Sequence, residues 1–309
     1  MSAAEPIART RTGFVAIVGR PNVGKSTLLN ALVGEHVSIT SRKPQTTRHR
    51  VLGVLTRAAD AQPARQFIFV DTPGFQRTHK SLLTRRMNET VRAALAEVDA
   101  IVLVIDARGW TREDETVLEL LPPECAERGN VVLALNKTDE VADRDALLPL
   151  LAASAQRFPF AALVPISAEK GRQLDDLLAE LGKLLPEGEP LFDADQFTDR
   201  SVRFLAAELI REKAFRLLGD ELPYGLTVTI DRWEEGEGRA VIAATLVVDR
   251  ESHKAIVIGA HGAKLREIGR LARIDIERLV DKPVFLETHV RVRRGWSDDE
   301  RALKQFGYE

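Results

Sequence analysis

The first 186 residues alternate short apolar runs with longer amphipathic stretches, and this alternation limits the folds open to the chain. The pattern is typical of a parallel β-sheet with helices on its faces. Five apolar runs predict strands: Phe14–Val18, Phe67–Val70, Ala100–Ile105, Val131–Leu135 and Ala162–Ile166. The intervening stretches predict helices at Lys25–Val33, Thr84–Glu97, Glu113–Leu120, Asp145–Phe158 and Leu174–Leu185. We therefore expect a mostly parallel α/β domain over residues 13–186, which binds its ligand beyond the carboxyl ends of the strands.

The periodicity changes after residue 186. Residues 187–199 contain glycine, proline and several acids without a sustained period, and they predict a linker. The rest of the chain predicts one helix, a hairpin, two helices and a last strand: Arg200–Leu218, Thr227–Trp233, Arg239–Asp249, Lys254–Ile258, Ala263–Val280 and Val284–Arg293. We therefore expect a second, smaller α+β domain over residues 200–309.

Composition narrows the class of protein. The net charge of −2 gives the whole chain no general affinity for nucleic acid, but residues 254–294 hold 10 Lys and Arg against 5 Asp and Glu. This basic strip suits either a phosphate backbone or solvent. Cys125 is the only cysteine, which excludes an internal disulfide and any metal site built from cysteines. The N-terminus lacks the apolar stretch of a secretory signal, and we expect a cytoplasmic protein.

The segment from Gly19 to Ser26 fits a phosphate-binding loop, because it follows a predicted strand and precedes a predicted helix. Its glycines allow backbone N–H groups to surround phosphates at a helix N-terminus. Lys25 would reach the β- and γ-phosphates, and the Ser26 hydroxyl would bind Mg²⁺. A tight strand–helix turn is the alternative. The residues expected at the phosphates are Gly19, Asn22, Val23, Gly24, Lys25, Ser26 and Thr27.

The tetrapeptide Asp71-Thr72-Pro73-Gly74 ends the next long apolar run. Asp71 can hold Mg²⁺ through water, and the Gly74 amide can sense the γ-phosphate. On its own this sequence is more often a turn. Its position after a parallel strand, beside the phosphate loop, favours the role at the phosphates.

Asn136-Lys137-Thr138-Asp139 follows the run Val131–Leu135 and is expected to select the base. Guanine presents an N1–H and an amine side by side, and the Asp139 carboxylate can accept both; adenine lacks such a pair of donors. Asn136 would support the loop and meet the outer edge of the base, and the stem of Lys137 would cover its face. Ser167-Ala168, after the last strand, would provide an amide for guanine O6. Together these motifs favour GTP or GDP over ATP.

In the C-terminal third, Gly259-Ala260-His261-Gly262 lies between two predicted helices, in the element order of a type II KH domain. Two closely spaced glycines let a sugar–phosphate backbone approach the loop, while a groove beside it receives single-stranded bases. A plain helix–helix turn is the alternative. Basic residues follow the loop at helical spacing: Lys264, Arg266, Arg270 and Arg273.

These motifs, in this order, resemble the translation-factor-related bacterial GTPases, and the Era family in particular. The likeness extends over nearly the whole chain, through Pro44-Gln45-Thr46-Thr47-Arg48-His49, Lys254–Gly259 and Gly295–Arg301. It implies that one of two threonines, Thr46 or Thr47, with Thr47 preferred, binds Mg²⁺ only when GTP is present. We accordingly expect Lys25, Thr47 and Gly74 to act in hydrolysis, and Ser26, Thr47 and Asp71 to hold the metal.

The resemblance further implies slow GTP hydrolysis, because Phe75 stands where Ras-like GTPases carry a water-orienting glutamine. Asn22 is similar to an asparagine that binds an activating K⁺ in several relatives, although it could instead serve only the loop conformation. The implied partner is the single-stranded 3′ end of 16S ribosomal RNA during 30S assembly. The expected RNA-binding residues are Lys254, Gly259, Ala260, His261, Gly262, Lys264 and Arg266. The family commonly has a lysine or other polar residue where this chain has Ala260-His261.

Two other functions fit the same residues. The C-terminal domain could dock a protein partner of a signalling or membrane-associated GTPase, or the site could bind GTP without turnover. We expect a monomer, and peripheral association with the inner membrane stays an open alternative to a purely cytoplasmic location.

Overall fold

A computed structural model describes residues 10–41, 43, 46–58, 64–75, 81–218 and 225–308. Contacts divide the chain into two compact units. The described part of the first unit comprises residues 10–37, 50–58, 64–75 and 90–199. That of the second comprises residues 38–41, 43, 46–49, 81–89, 200–218 and 225–308. Pro44 and Gln45, of the segment Pro44–His49 that resembles the Era family, lie outside the described residues.

The first unit contains a six-stranded sheet in the order β2-β3-β1-β4-β5-β6. Its strands are β1 (Arg11–Val18), β2 (Val51–Arg57), β3 (Arg65–Asp71), β4 (Ala100–Asp106), β5 (Val131–Asn136) and β6 (Ala162–Pro165). Its helices are α1 (Lys25–Val33), α3 (Arg112–Leu118), α4 (Glu124–Arg128), α5 (Leu147–Ala155) and α6 (Leu174–Leu184). Helix α2 (Leu82–Ala96) belongs to this unit from Thr90 onward and to the second unit before it. All neighbouring strands are parallel except β2 and β3, which are antiparallel. The predicted α/β class is confirmed.

Both faces of this sheet are covered, which explains why its central strands are continuously apolar. Val15 and Ile17 of β1 pack into the core on one face, together with leucines of α1 and α6. Ala16 and Val18 point to the opposite core, which includes residues of α2, α3 and α4. Because side chains alternate along a strand, one apolar run supplies two cores.

Two elements of this unit were not predicted, β2 and the short helix α4. The described structure also shows that residues 187–199, predicted as a linker, belong to the first unit. There Gln66 receives hydrogen bonds from the backbone of Leu191 and Phe192, and Thr198 donates to Leu52 O at 2.6 Å. These contacts hold the segment beside β2 and β3.

The second unit has the predicted order helix, strand, strand, helix, helix, strand. Its elements are α7 (Val202–Leu217), β7 (Leu226–Glu235), β8 (Ala240–Val248), α8 (Glu251–Ile258), α9 (Ala263–Val280), β9 (Val284–Val292) and α10 (Glu300–Gln305). β8 is the central strand, antiparallel to β7 and parallel to β9. This order confirms the predicted α+β fold of the type II KH domain.

Alternate residues of β8 face one core. Ile242, Ala244 and Leu246 are fully buried against α7 and α9. On α9, Ile268, Ala272 and Ile276 recur at intervals of four and form the buried stripe of that helix. The other face of the sheet keeps exposed side chains, as the alternating burial of β9 shows. The unit is therefore built from one layer of helices on one layer of strands.

A smaller core surrounds Trp296, which is completely buried. Its indole Nε1 donates to Gly225 O at 3.1 Å, and its ring meets Phe306 edge-on at 5.4 Å. Leu83 and Met87, from the beginning of α2, complete this core. The Gly295–Arg301 segment therefore has a structural role, since it supplies the buried Trp296.

The described residues between 38 and 49 also belong to the second unit, where α7 holds them through charged side chains. Glu212, which is fully buried, accepts hydrogen bonds from the Thr40 amide at 2.8 Å and from its hydroxyl at 3.1 Å. Arg211 donates to Thr46 O, and Arg48 donates to Leu226 O at 2.8 Å. The segment is therefore anchored on both sides of Thr47.

None of the helices in the described ranges is both long enough and apolar enough to cross a membrane.

Replacement of Trp296 by alanine should destabilise the second unit by about 3–5 kcal/mol, because it leaves a cavity and an unsatisfied Gly225 carbonyl. Urea unfolding followed by circular dichroism measures this loss. Trp233→Ala is the matched control, since Trp233 is only partly buried against its core. An equal loss of stability in the two variants would contradict the conclusion that the burial of Trp296 stabilises the second unit.

Candidate functional site

The phosphate loop connects β1 to α1, and its backbone requires both of its glycines. Gly24 caps the N-terminus of α1 with φ +99°, and a Cβ there would lie 2.3 Å from Asn136 Nδ2. At Gly19 a Cβ would lie 2.4 Å from Val104 O. The first turn of α1 holds no acidic residue, which suits an anion at that end of the helix.

Lys25 lies inside this loop with only 6% of its surface exposed. Its ammonium group donates to Gly19 O and to Arg20 O, both at 2.9 Å. Burial lowers the pKa of Lys25 to about 8, and the nearby Asp71 carboxylate opposes part of that shift. A buried cation whose direct hydrogen-bond partners are carbonyl oxygens gains strongly from a bound anion. The loop is therefore chemically suited to phosphate.

The conformation of the loop depends on a second buried charge. Arg20 Nε donates to Asp114 Oδ2 at 3.2 Å, and Asp114 is fully buried in the capping box of α3. Thr111 also donates to this carboxylate, through both its amide and its hydroxyl. The Arg20 carbonyl that holds Lys25 is thus fixed through α3, a contact that the sequence motif did not indicate.

Ser26 and Asp71 come together beside the loop. The Ser26 hydroxyl donates to Asp71 Oδ2 at 2.8 Å, and Asp71 is completely buried. A hydroxyl and a carboxylate are the hard oxygen ligands that Mg²⁺ prefers, so these residues fit the expected metal. Within the described ranges no three His, Cys, Asp or Glu side chains cluster to hold a metal. Two protein oxygens leave most of the octahedral shell of Mg²⁺ to water and phosphate oxygens.

Gly74 lies directly against the phosphate loop. A Cβ at this position would lie 3.0 Å from Pro21 Cγ and 3.1 Å from Pro21 N. Phe75 turns away into the apolar core on the α2 face of the sheet, and 8% of its surface is exposed. Because its ring has no polar atom and lies in this core, Phe75 cannot orient a water molecule.

Asn22 and Thr47 were also predicted to bind metal ions. Asn22 is exposed and has φ +65°, a conformation that asparagine tolerates better than most residues. Thr47 is buried in the second unit, whereas Ser26 and Asp71 belong to the first. Binding of K⁺ by Asn22 and of Mg²⁺ by Thr47 both stay predictions.

At the predicted base site, Asn136 joins two loops. Its Nδ2 donates to Val23 O at 2.8 Å, and its Oδ1 accepts from the Ala168 amide at 3.0 Å. Asp139 accepts a short hydrogen bond from the Ser167 hydroxyl, which aims the carboxylate. The Ser167 amide bonds to Arg172 O. The predicted donation from residues 167–168 to guanine O6 therefore stays a prediction, since both amides have partners within the protein.

Lys137 forms an ion pair with an acidic residue that no sequence motif indicated. Its Nζ lies 3.0 Å from Asp106 Oδ2, at the end of β4. Arg108 forms a further ion pair with the same carboxylate at 2.6 Å. Asp106 and Asn136 are register partners in the sheet, and this pairing, which the sequence does not specify, places the groups together.

In the second unit, the glycine-flanked loop is a sharp turn between α8 and α9. Gly259, His261 and Gly262 all have positive φ, at +70°, +50° and +75°. The Arg266 guanidinium donates to His261 O at 3.1 Å, and Lys264 packs on Gly259. Ala260, His261, Lys264 and Arg266 are exposed, and Lys254 is half-buried on α8.

Two arginines expected to add positive charge have acidic partners instead. Arg270 pairs with Glu267 at 2.7 Å and Arg273 with Glu277 at 2.6 Å. Both pairs lie on α9 at helical spacing, so Arg270 and Arg273 add little net charge beside the loop. Ile256, with 42% of its surface exposed, supplies an apolar side chain on the neighbouring helix α8.

Comparisons with known proteins agree with this organisation. A sequence model described as 50S ribosome-binding GTPase matches residues 14–137, and a KH domain model matches residues 221–297. The chain is 55% identical to the GTPase Era of Bordetella avium, over 97% of this chain and 98% of that protein. It is 52% identical to the GTPase Era of Xanthomonas oryzae pv. oryzae over 97% of each chain.

Two solved structures are similar over almost the full length. One is a variant of Aquifex aeolicus Era bound to GDP and AlF4⁻, with a TM-score of 0.90 and 42% identity, covering 96% of this chain and 99% of that one. The other is Era in complex with MgGDPNP and nucleotides 1506–1542 of 16S ribosomal RNA, with a TM-score of 0.91 and 41% identity, covering 97% and 99%. By its identity to these relatives along nearly its whole length, and by its two domains, the chain belongs to the Era family of GTPases.

Proposed function

We propose that this GTPase is a switch that, in its GTP-bound state, holds the single-stranded 3′ end of 16S ribosomal RNA and assists assembly of the 30S subunit. The observation that carries the proposal is the combination on one chain of a phosphate loop, a guanine-selective tetrapeptide and a KH loop. An Era structure with a GTP analogue and a 16S fragment supports the choice of RNA.

Within this proposal, Lys25 and the amides of the phosphate loop bind the phosphates, and Asp139 selects guanine. Ser26 and Asp71 hold Mg²⁺, and Thr47 joins them when GTP is bound. The metal would neutralise charge on the β- and γ-phosphates. Gly74 senses the γ-phosphate through its amide, since its position against Pro21 keeps it beside the loop. Hydrolysis is slow, because Phe75 offers no polar atom to the attacking water.

The alternative, a protein-docking module in place of an RNA-binding one, receives less support. The KH loop presents two positive-φ glycines beside exposed Lys264 and Arg266, which suits a phosphate backbone. A gel shift with a single-stranded oligonucleotide from the 16S 3′ end separates the two functions. RNA binding weakens steeply as salt rises, because phosphate neutralisation releases counterions.

The proposal also places the protein in the cytoplasm as a monomer, with any membrane association peripheral. Sedimentation equilibrium tests the oligomeric state, and co-sedimentation with inner-membrane vesicles tests the association.

Asp139→Asn should weaken GDP binding about a hundredfold and create affinity for XDP. The substitution removes an acceptor of two charge-assisted bonds, while the asparagine amide can donate to the 2-oxo group of xanthine. Equilibrium titration with fluorescent GDP and XDP measures both effects. Asp176→Asn, on an exposed carboxylate of α6, is the control. Unchanged GDP affinity in the Asp139 variant would exclude this carboxylate from base recognition.

Hydrolysis should be several-fold faster in KCl than in NaCl at equal ionic strength, because Asn22 would place K⁺ near the phosphates. Asn22→Gly separates this role from the conformational one, since glycine adopts φ +65° without a side-chain ligand. The variant should keep its nucleotide affinity and lose the preference for KCl. Equal rates of phosphate release in both salts for the unmodified protein would refute the K⁺ site.

Replacing both Ala260 and His261 by aspartate should abolish RNA binding and leave GTP affinity unchanged, because two negative charges would face the RNA backbone. The neutral pair Ala260→Ser and His261→Asn is the matched control, since asparagine tolerates the left-handed conformation of residue 261. Gel shifts and nucleotide titration measure the two affinities. Retained RNA affinity in the aspartate variant would contradict the assignment of this loop.

A further inference from the structure

The end of β4 places a buried acid beside the base-recognition loop. Asp106, the last residue of β4, has 1% of its surface exposed. Its Oδ2 lies 3.0 Å from the ammonium group of Lys137, the second residue of the tetrapeptide expected at guanine. No motif in the sequence assigns a function to this acid.

Asp106 is rigidly held. Arg108 donates to it through its amide at 3.0 Å, its Nε at 2.8 Å and its Nη2 at 2.6 Å. The Ala107 amide donates to Asn136 O at 2.7 Å, so the ends of β4 and β5 are joined at the same level. Burial alone would raise the pKa of Asp106, but the hydrogen bonds from Arg108 and Lys137 outweigh burial and hold it well below its usual range. The carboxylate is therefore a permanent, fixed negative charge.

This fixed charge restrains an otherwise flexible side chain. The Lys137 backbone is in the left-handed region with φ +70°, and its side chain is 24% exposed. With its backbone at the start of the 3-10 turn Thr138–Glu140 and its ammonium on Asp106, the stem is held at both ends. A lysine that is ordered before the ligand arrives loses less rotamer entropy on binding.

We propose that Asp106 is a positioning residue for guanine-nucleotide binding, which acts by anchoring the ammonium group of Lys137 so that the lysine stem is ready to cover the face of the base. The inference rests on the proposed role of Lys137 and Asp139 in base recognition. It assigns the two acids separate tasks. Asp139 distinguishes guanine by its edge, whereas Asp106 strengthens the binding of any purine whose face meets the stem.

The test is a double-mutant cycle on the full chain. Asp106→Asn should weaken GDP binding about tenfold, through loss of a charge-assisted contact to Lys137. Lys137→Met keeps the length of the stem and should have a similar effect. The double variant should bind GDP no more weakly than either single variant, because both substitutions remove one contact. Multiplying effects, or unchanged affinity in Asp106→Asn, would overturn the proposal.

IDP separates a loss of the lysine stem, which leaves the ratio of GDP and IDP affinities unchanged, from a misplacement of Asp139, which changes it. Inosine lacks the amine of guanine but has the same face, so Asp106→Asn should weaken GDP and IDP by the same factor. Asp139→Asn, titrated in parallel, should change the ratio of the two affinities. If Asp139→Asn leaves that ratio unchanged, base recognition itself fails. If the ratio changes but Asp106→Asn has no effect, only the inference about Asp106 fails.

Arg108→Ala removes the two guanidinium bonds to Asp106 but keeps the backbone-amide bond and the contact to Lys137. It should therefore weaken GDP binding, but by less than Asp106→Asn. A loss in Arg108→Ala as large as that in Asp106→Asn would assign the effect to the whole loop and overturn the specific role of Lys137. Asp106→Glu covers the case in which asparagine prevents folding. It keeps the charge but displaces the ammonium group, and unchanged GDP affinity in this variant would also contradict the proposal.

Discussion

The ammonium group of Lys25 lies at the N-terminus of α1, almost without contact to solvent, with the carbonyl oxygens of Gly19 and Arg20 as its hydrogen-bond acceptors. This arrangement costs free energy until an anion arrives, because carbonyl dipoles replace only part of the lost hydration. Contacts with the surrounding structure hold the loop in this conformation despite that cost. Gly24 admits the turn, Asp114 fixes Arg20 through α3, and β1, which is fully buried over its last four residues, delivers the loop to the carboxyl ends of the strands. The other parts of the nucleotide site are arranged around this buried cation.

The base end of the site depends on the register of parallel strands. Because β4 and β5 end at the same level, Asp106 meets Lys137, and Asn136 reaches the phosphate loop through Val23 O. One amide side chain therefore links the loop proposed to hold phosphate to the loop proposed to recognise guanine. Under that proposal, selection of the base and binding of the phosphates are mechanically connected within one unit.

The motifs and the element types of both domains could be predicted from the sequence because they depend on local periodicity and on glycine spacing. β2 could not, since Gly53 interrupts its apolar pattern. The structure explains this glycine, because a Cβ there would lie 2.5 Å from Leu29 Cδ1 of α1. The role of Asp106 was hidden by a separation of 31 residues from Lys137, which only the strand register closes. The ion pair between Arg270 and Glu267 could have been predicted from their i, i+3 spacing. The count of basic residues over 254–294 does not show it.

The loop around Lys25 is proposed to bind a triphosphate whose base Asp139 identifies as guanine. Equilibrium titration of the unmodified protein with GTP and ATP, in the presence of Mg²⁺, is the decisive experiment. GTP binding should be saturable, and affinity for ATP should be at least a hundredfold weaker, the ratio expected from two charge-assisted hydrogen bonds. Equal affinity for the two nucleotides, or a preference for ATP, would show that Asp139 does not select the base.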